Sequence, residues 1–160
     1  MKAITLWEPW ASLVMIGAKP FEFRPKHFTD YAGHPAVGVD VVMHAGKRPM
    51  RFREVHDLLQ RLDAPDNPTG LVASIARPFL QRIADRLAIK QQSLHLGCGL
   101  GTVRFGEPQW ANQVFPMLVE DSDRGQFNSA WPIVSWKVWN APVPCRGLQG
   151  FWNWPFQVPA

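Results

Sequence analysis

Residues 1–24, MKAITLWEPWASLVMIGAKPFEFR, decide the fold: a strand, a short helix and a second strand follow one another without a linker. Lys2 to Leu6 reads as a short strand. At Glu8-Pro9-Trp10 the period changes, because Pro9 suits the first turn of a helix, where the N–H it lacks would have no partner. Trp10, Leu13, Val14 and Gly17 then fall at helical spacing, with Gly17 as the C-cap. The spacing predicts a helix of roughly ten residues. It delivers the chain into Ala18 to Arg24, which alternates, with Lys19, Phe21 and Phe23 on one side and Glu22 and Arg24 on the other. Strict alternation turns Lys19 away from Glu22 and Arg24, so their convergence requires a twist or bulge after Gly17.

Working outward, His27 to His34 is loop-like, and Pro35 to Ala45 is Val-rich and reads as a buried strand ending at His44. Gly46-Lys47-Arg48-Pro49 is a basic turn. Phe52, Val55, Leu58, Leu59 and Leu62 repeat at helical spacing and predict an amphipathic helix, which Pro65 to Gly70 breaks. Leu71 to Leu87 is helical in period but interrupted at Pro78, which predicts two shorter pieces. The glycines of Gly97-Cys98-Gly99-Leu100-Gly101 introduce a strand from Thr102 to Phe105. Glu107 to Phe127 is the least regular stretch and holds the acidic run Glu120-Asp121-Ser122-Asp123. Trp131 to Trp139 is a strand with Pro132, Val134, Trp136 and Val138 on one face. A turn-rich loop, Pro142 to Gly150, precedes the aromatic tail Phe151-Trp152-Asn153-Trp154. This order implies an α+β fold: a mostly antiparallel β-barrel with short helices between its strands and a helical insertion over roughly residues 50–95.

The 160 residues fit one domain with one well-buried core. With 46% hydrophobic and 19% charged residues the composition is globular, and fifteen prolines argue against a bundle of long helices. The net charge of +4 and pI near 9.4 favour contact with phosphates, although many enzymes of small acidic metabolites are equally basic. Cys98 and Cys145 lack the spacing of a disulfide framework and read as reduced thiols. No basic start with a long apolar run marks a signal peptide, and the apolar runs are too short to span a membrane. A soluble, cytoplasmic protein is expected.

Three segments carry candidate chemistry. In Gly17 to Arg24, Lys19, Glu22 and Arg24 crowd together: a lysine beside a carboxylate becomes a base or nucleophile when desolvated, and an arginine offers a planar fork to phosphate. Taken by itself, the pattern also fits a solvated strand face with an ordinary ion pair. In the second segment, Trp7 and Trp10 flank Pro9 at a helix start, where an indole can stack on a base or simply fill the core. The third, His44-Ala45-Gly46-Lys47-Arg48, is a strand end with two cations that could cradle phosphate or form a plain basic loop. His95-x-x-Cys98 has metal-like spacing but no second pair, so no metal and no cofactor is expected.

Together the segments resemble the ASCH domain, the activating-signal-cointegrator homology family of the PUA-like superfamily. Met1 to Leu13 is similar to that family's opening strand and Q-P-W-A-S helix start, and Gly17-x-Lys19-x-x-Glu22-x-Arg24 matches its G-x-K-x-x-E-x-R signature. Val41 to Lys47 resembles its strand ending in H-A-x-K. Gly99 to Phe105 resembles its G-x-x-x-V strand, and Val143 to Trp152 its closing P-x-x-G-x-Q-G-x-W. The resemblance spans the chain. It implies a PUA-like β-barrel whose cleft holds RNA or a nucleotide: Lys19, Glu22 and Arg24 would line it, Trp7, Pro9 and Trp10 would form one wall, and His44, Lys47 and Gln149 would lie near its mouth, with Arg48 beside them.

One branch of that family hydrolyses the acetyl amide of N4-acetylcytidine with a lysine, a threonine three residues later and a downstream glutamate. This sequence keeps the lysine as Lys19 and has Glu22 at the threonine position. A ribonuclease activity is also known in the family. The expected function is therefore an RNA- or nucleotide-binding module. The alternatives are a nucleoside or RNA hydrolase with Lys19 and Glu22 as catalytic groups, and a protein–protein adaptor built on exposed tryptophans.

Overall fold

A computed structural model describes residues 1–116 and 128–159. The acidic run Glu120-Asp121-Ser122-Asp123 lies outside the described residues. In chain order the elements are β1 (Lys2–Leu6), α1 (Trp10–Met15), β2 (Phe21–Arg24), a 3-10 turn (Phe28–Tyr31), β3 (Asp40–Ala45), α2 (Phe52–Leu62) and α3 (Ala73–Ala88). They continue with β4 (Cys98–Phe105), β5 (Gln109–Trp110), α4 (Ala111–Val114), β6 (Ser129–Pro144) and β7 (Phe151–Asn153). Glu107 to Phe127 is thus less irregular at its start than expected, since β5 and α4 occupy it.

The sheet runs β2-β6-β4-β3-β1-β7, with β5 also on β6. β1 pairs β3 in parallel, Lys2 opposite Val41 through Leu6 opposite Ala45, and every other ladder is antiparallel. The sheet is therefore mixed, and it curls into a half-barrel. Phe151 of β7, at one end of the strand order, packs 5.4 Å from Trp131 of β6 and 6.1 Å from Phe105 of β4, measured between ring centroids. Ile4, Val14, Met43, Val103, Phe105 and Trp131 fill the concave interior.

α1 is shorter than its spacing predicts and is buried on more than one side. Ala11, Val14 and Met15 enter the barrel core, while Leu13 joins Ala18 and the residues of α2 and α3 in a second core. The α2 helix matches its predicted span. α3, by contrast, runs unbroken through Pro78. A proline past the first turn forfeits a backbone bond and crowds the carbonyl four residues before it, and the packing of Ala76, Leu80, Ile83 and Ala84 in one core with Val55, Leu58, Leu59 and Leu62 offsets that cost.

Gly99 and Gly101 lie inside β4 rather than ahead of it, at a register shift against β6. A Cβ on Gly101 would overlap the Lys137 carbonyl oxygen and the Met15 methyl, so the close approach of β6 and α1 requires glycine there. The strand expected over Trp131 to Trp139 is the middle of the longer β6. Its outward face exposes Val134, Trp136 and Val138, whereas Trp131 is buried.

Candidate functional site

Lys19, Glu22 and Arg24 do converge. Gly17, at φ +74°, ends α1, and the amides of Gly17 and Ala18 close the turn on the Val14 and Leu13 carbonyls. Lys19 sits before β2 begins at Phe21, so it is outside the alternation that would have turned it away. Its ammonium lies 2.8 Å from Glu22 Oε2, and Arg24 Nε lies 3.2 Å from Glu22 Oε1. Lys19 Nζ also donates to the Phe21 carbonyl and stands 5.3 Å from the centre of the Phe23 ring. Lys19 and Glu22 are each only 7% exposed. Burial pulls the Lys19 ammonium below its ordinary pKa, and the Glu22 carboxylate opposes that fall.

Arg24 is the member that reaches a surface. Its Nε, paired with Glu22, and its Nη2 are enclosed, and Nη2 has no hydrogen-bond partner among the described residues. Its side chain borders a cleft of about 750 Å³ together with Phe23 and Pro25. Thr5 and Trp7 enter this cleft from the end of β1, and His44, Gly46 and Lys47 from the end of β3. The loop of residues 146–150 closes the remaining side. β2 and β1 stand at opposite regions of the strand order, so the cleft is the mouth left where the half-barrel curls without closing. Among the described residues its lining carries the cations Arg24, Lys47 and Arg146 and no carboxylate.

Several expected site residues stand elsewhere. Lys19 and Glu22 lie behind the wall rather than on it. Pro9 is buried, and Trp10 packs against both cores, so neither lines the cleft. Arg48 turns away from it: its guanidinium pairs with Glu54 through both nitrogens and stacks 4.5 Å from the centre of the Trp7 ring. Trp7 remains 42% exposed. Lys47 is held by its stem, which lies on Gly97 so closely that a Cβ there would stand 2.7 Å from Lys47 Cγ. Gln149 lines the cleft as expected from its place near the mouth.

His44 forms a floor rather than a contact. It is fully buried, with Nε2 3.0 Å from the Cys145 carbonyl and Nδ1 3.3 Å from the Thr5 hydroxyl. A carbonyl only accepts, so Nε2 carries the proton and Nδ1 accepts from Thr5, which accepts in turn from the Trp152 indole. Burial lowers the His44 pKa, with the Cys145 carbonyl opposing, so the ring is neutral. Gly147 lies flat on it: a Cβ would stand 2.5 Å from His44 Cε1.

The sequence reading missed Thr5, Phe23, Arg146 and Leu148 as lining residues. Arg146 was within a quoted motif, and its charge was the one available signal. Glu8 was also passed over as a titrating group. It is 2% exposed, accepts from the Ser12 amide at 3.1 Å and the Ser12 hydroxyl at 2.8 Å, and is pushed by burial up to about 7. The i,i+4 spacing of Glu8 and Ser12 was its only trace.

Comparison of the chain with known protein families and with curated proteins finds no match. Among the described residues no helix is long and apolar enough to cross a membrane.

Proposed function

We propose that the chain is an RNA- or nucleotide-binding module that holds an anionic, base-bearing ligand in the mouth of the half-barrel, as its resemblance to the PUA-like ASCH domains implies. One observation carries this reading: among the described residues the cleft lining gathers Arg24, Lys47 and Arg146 with no carboxylate, and Arg24 Nη2 lacks a hydrogen-bond partner. Cations converging on a cleft attract phosphate, and charge-assisted bonds from a guanidinium edge orient it. Trp7 and Phe23 on the same lining supply ring surface against which a base stacks.

Short single-stranded RNAs test it by fluorescence anisotropy. Arg24→Ala and Lys47→Ala each weaken binding about tenfold, the ordinary worth of a charged hydrogen bond, and wild-type affinity falls as salt rises. Binding that ignores salt, or that survives both substitutions, refutes the reading.

A hydrolase centred on Lys19 is the second reading, and the desolvated ammonium favours it. Against it, Lys19 Nζ is held by both Glu22 and the Phe21 carbonyl, behind the cleft wall. Turnover of N4-acylcytidines that Lys19→Ala abolishes would establish this chemistry. A folded protein that turns over none of them excludes it.

A further inference from the structure

The binding reading leaves the class of ligand open, and we infer from the cleft, resting on that reading, that it takes one phosphorylated nucleotide unit, either free or at the end of a strand. The phosphate lies on Arg24 and the base on Trp7.

The first argument is charge. Glu22 serves two cations: one carboxylate oxygen faces Lys19 at 2.8 Å and the other faces Arg24 at 3.2 Å. Among the described residues these two cations share the Glu22 carboxylate, and of the two Arg24 is the one that borders the cleft. Its Nη2 is enclosed without a hydrogen-bond partner among the described residues. Desolvated charge is costly until an opposite charge and good hydrogen bonds meet it. A phosphate oxygen supplies both to the guanidinium edge, whereas a nucleoside without phosphate supplies no charge.

The second argument is extent. A groove that follows a nucleic-acid strand spreads its cations along a line. Here Arg48, the neighbour of Lys47, is withdrawn onto Glu54 and Trp7, which among the described residues leaves Lys47, Arg24 and Arg146 bordering one cleft. Its volume of about 750 Å³ is within the range of roughly 300–1,000 Å³ typical of small-molecule sites. The third argument is the second wall: Trp7 borders the same cleft, 42% exposed, and Gln149 offers a polar group beside it.

Isothermal titration of the wild-type protein with the four ribonucleosides, their 5′- and 3′-monophosphates, and inorganic phosphate tests the inference. A tetranucleotide series with and without a terminal phosphate completes the set. At least one monophosphate is expected to bind tenfold or more tighter than both its nucleoside and inorganic phosphate. The phosphate-ended tetranucleotide is expected to exceed the hydroxyl-ended one. Arg24→Gln, with its fold checked by circular dichroism, should remove most of the preference for monophosphate over nucleoside. Equal affinity for nucleosides and monophosphates overturns the inference, and so does inorganic phosphate binding as tightly as any monophosphate. If tetranucleotides bind in a salt-dependent way without regard to a terminal phosphate and monophosphates do not bind, the inference fails while the module reading stands. If no probe binds, both fail.

Discussion

Replacing Glu8 with glutamine should make the protein more stable above neutral pH while leaving it nearly unchanged in mild acid. Glu8 is buried at the start of α1 and meets only the amide and hydroxyl of Ser12 among its hydrogen-bond partners. Those bonds favour the carboxylate, but burial outweighs them and raises the pKa from 4.5 to about 7. Between those values the unfolded chain has released this proton and the folded chain still holds it. Stability attributed to Glu8 is therefore complete below pH 4.5 and is lost as the pH rises to about 7. At about 1.36 kcal/mol per pH unit, the loss is on the order of 3 kcal/mol, a large part of a typical domain's stability. Glutamine fills the same space, its carbonyl oxygen accepts from the Ser12 amide, and it does not ionise. Urea unfolding followed by tryptophan fluorescence from pH 4.5 to 8.5 measures the difference between variant and wild type. Groups common to both proteins, the histidines included, cancel in that difference. It should grow by on the order of 3 kcal/mol across the range and level off above pH 8. A difference that does not change with pH refutes the argument that burial dominates at Glu8.

Two further outcomes follow from packing and from the neutral imidazole. Gly101→Ala should lower stability by about 1–3 kcal/mol or more, because the new methyl meets the backbone of Lys137 and Val138, which cannot yield cheaply; an unchanged thermal midpoint contradicts the close approach of β4 and β6. In an NMR titration the His44 ring should protonate with a midpoint below 6.5, since burial disfavours its charged form. Its share of stability is present above that value and declines as the pH falls below it, and a midpoint at or above 6.5 removes the case for a neutral floor under the cleft.

Local signals were sufficient wherever one element's own residues specify it. The apolar residues of α2 repeat at helical spacing, and the helix spans Phe52–Leu62 as that spacing requires. Gly17 ends α1 in the left-handed conformation its type allows. Pro78 misled for the opposite reason: its local cost is real, but the contact of α3 with α2, invisible in a single segment, outweighs it. The alternation rule likewise failed at Lys19 because the strand does not begin until Phe21, a boundary set by pairing with β6.

The sequence by itself determined β1, α1, β2, β3, α2 and the greater part of β4 and β6 in their order, and the presence of Lys19, Glu22 and Arg24 within one turn-and-strand segment. Charge and spacing are properties of neighbouring residues, and neighbours are what a sequence records. Only the tertiary structure decided which cations face a common space. Arg24, Lys47 and Arg146 belong to segments far apart in the chain, and the curl of the sheet brings them to one cleft. The same curl withdraws Lys19 and Glu22 behind its wall and stacks Arg48 on Trp7. Burial and orientation are set by what packs against a side chain, and in this protein those partners come from other strands.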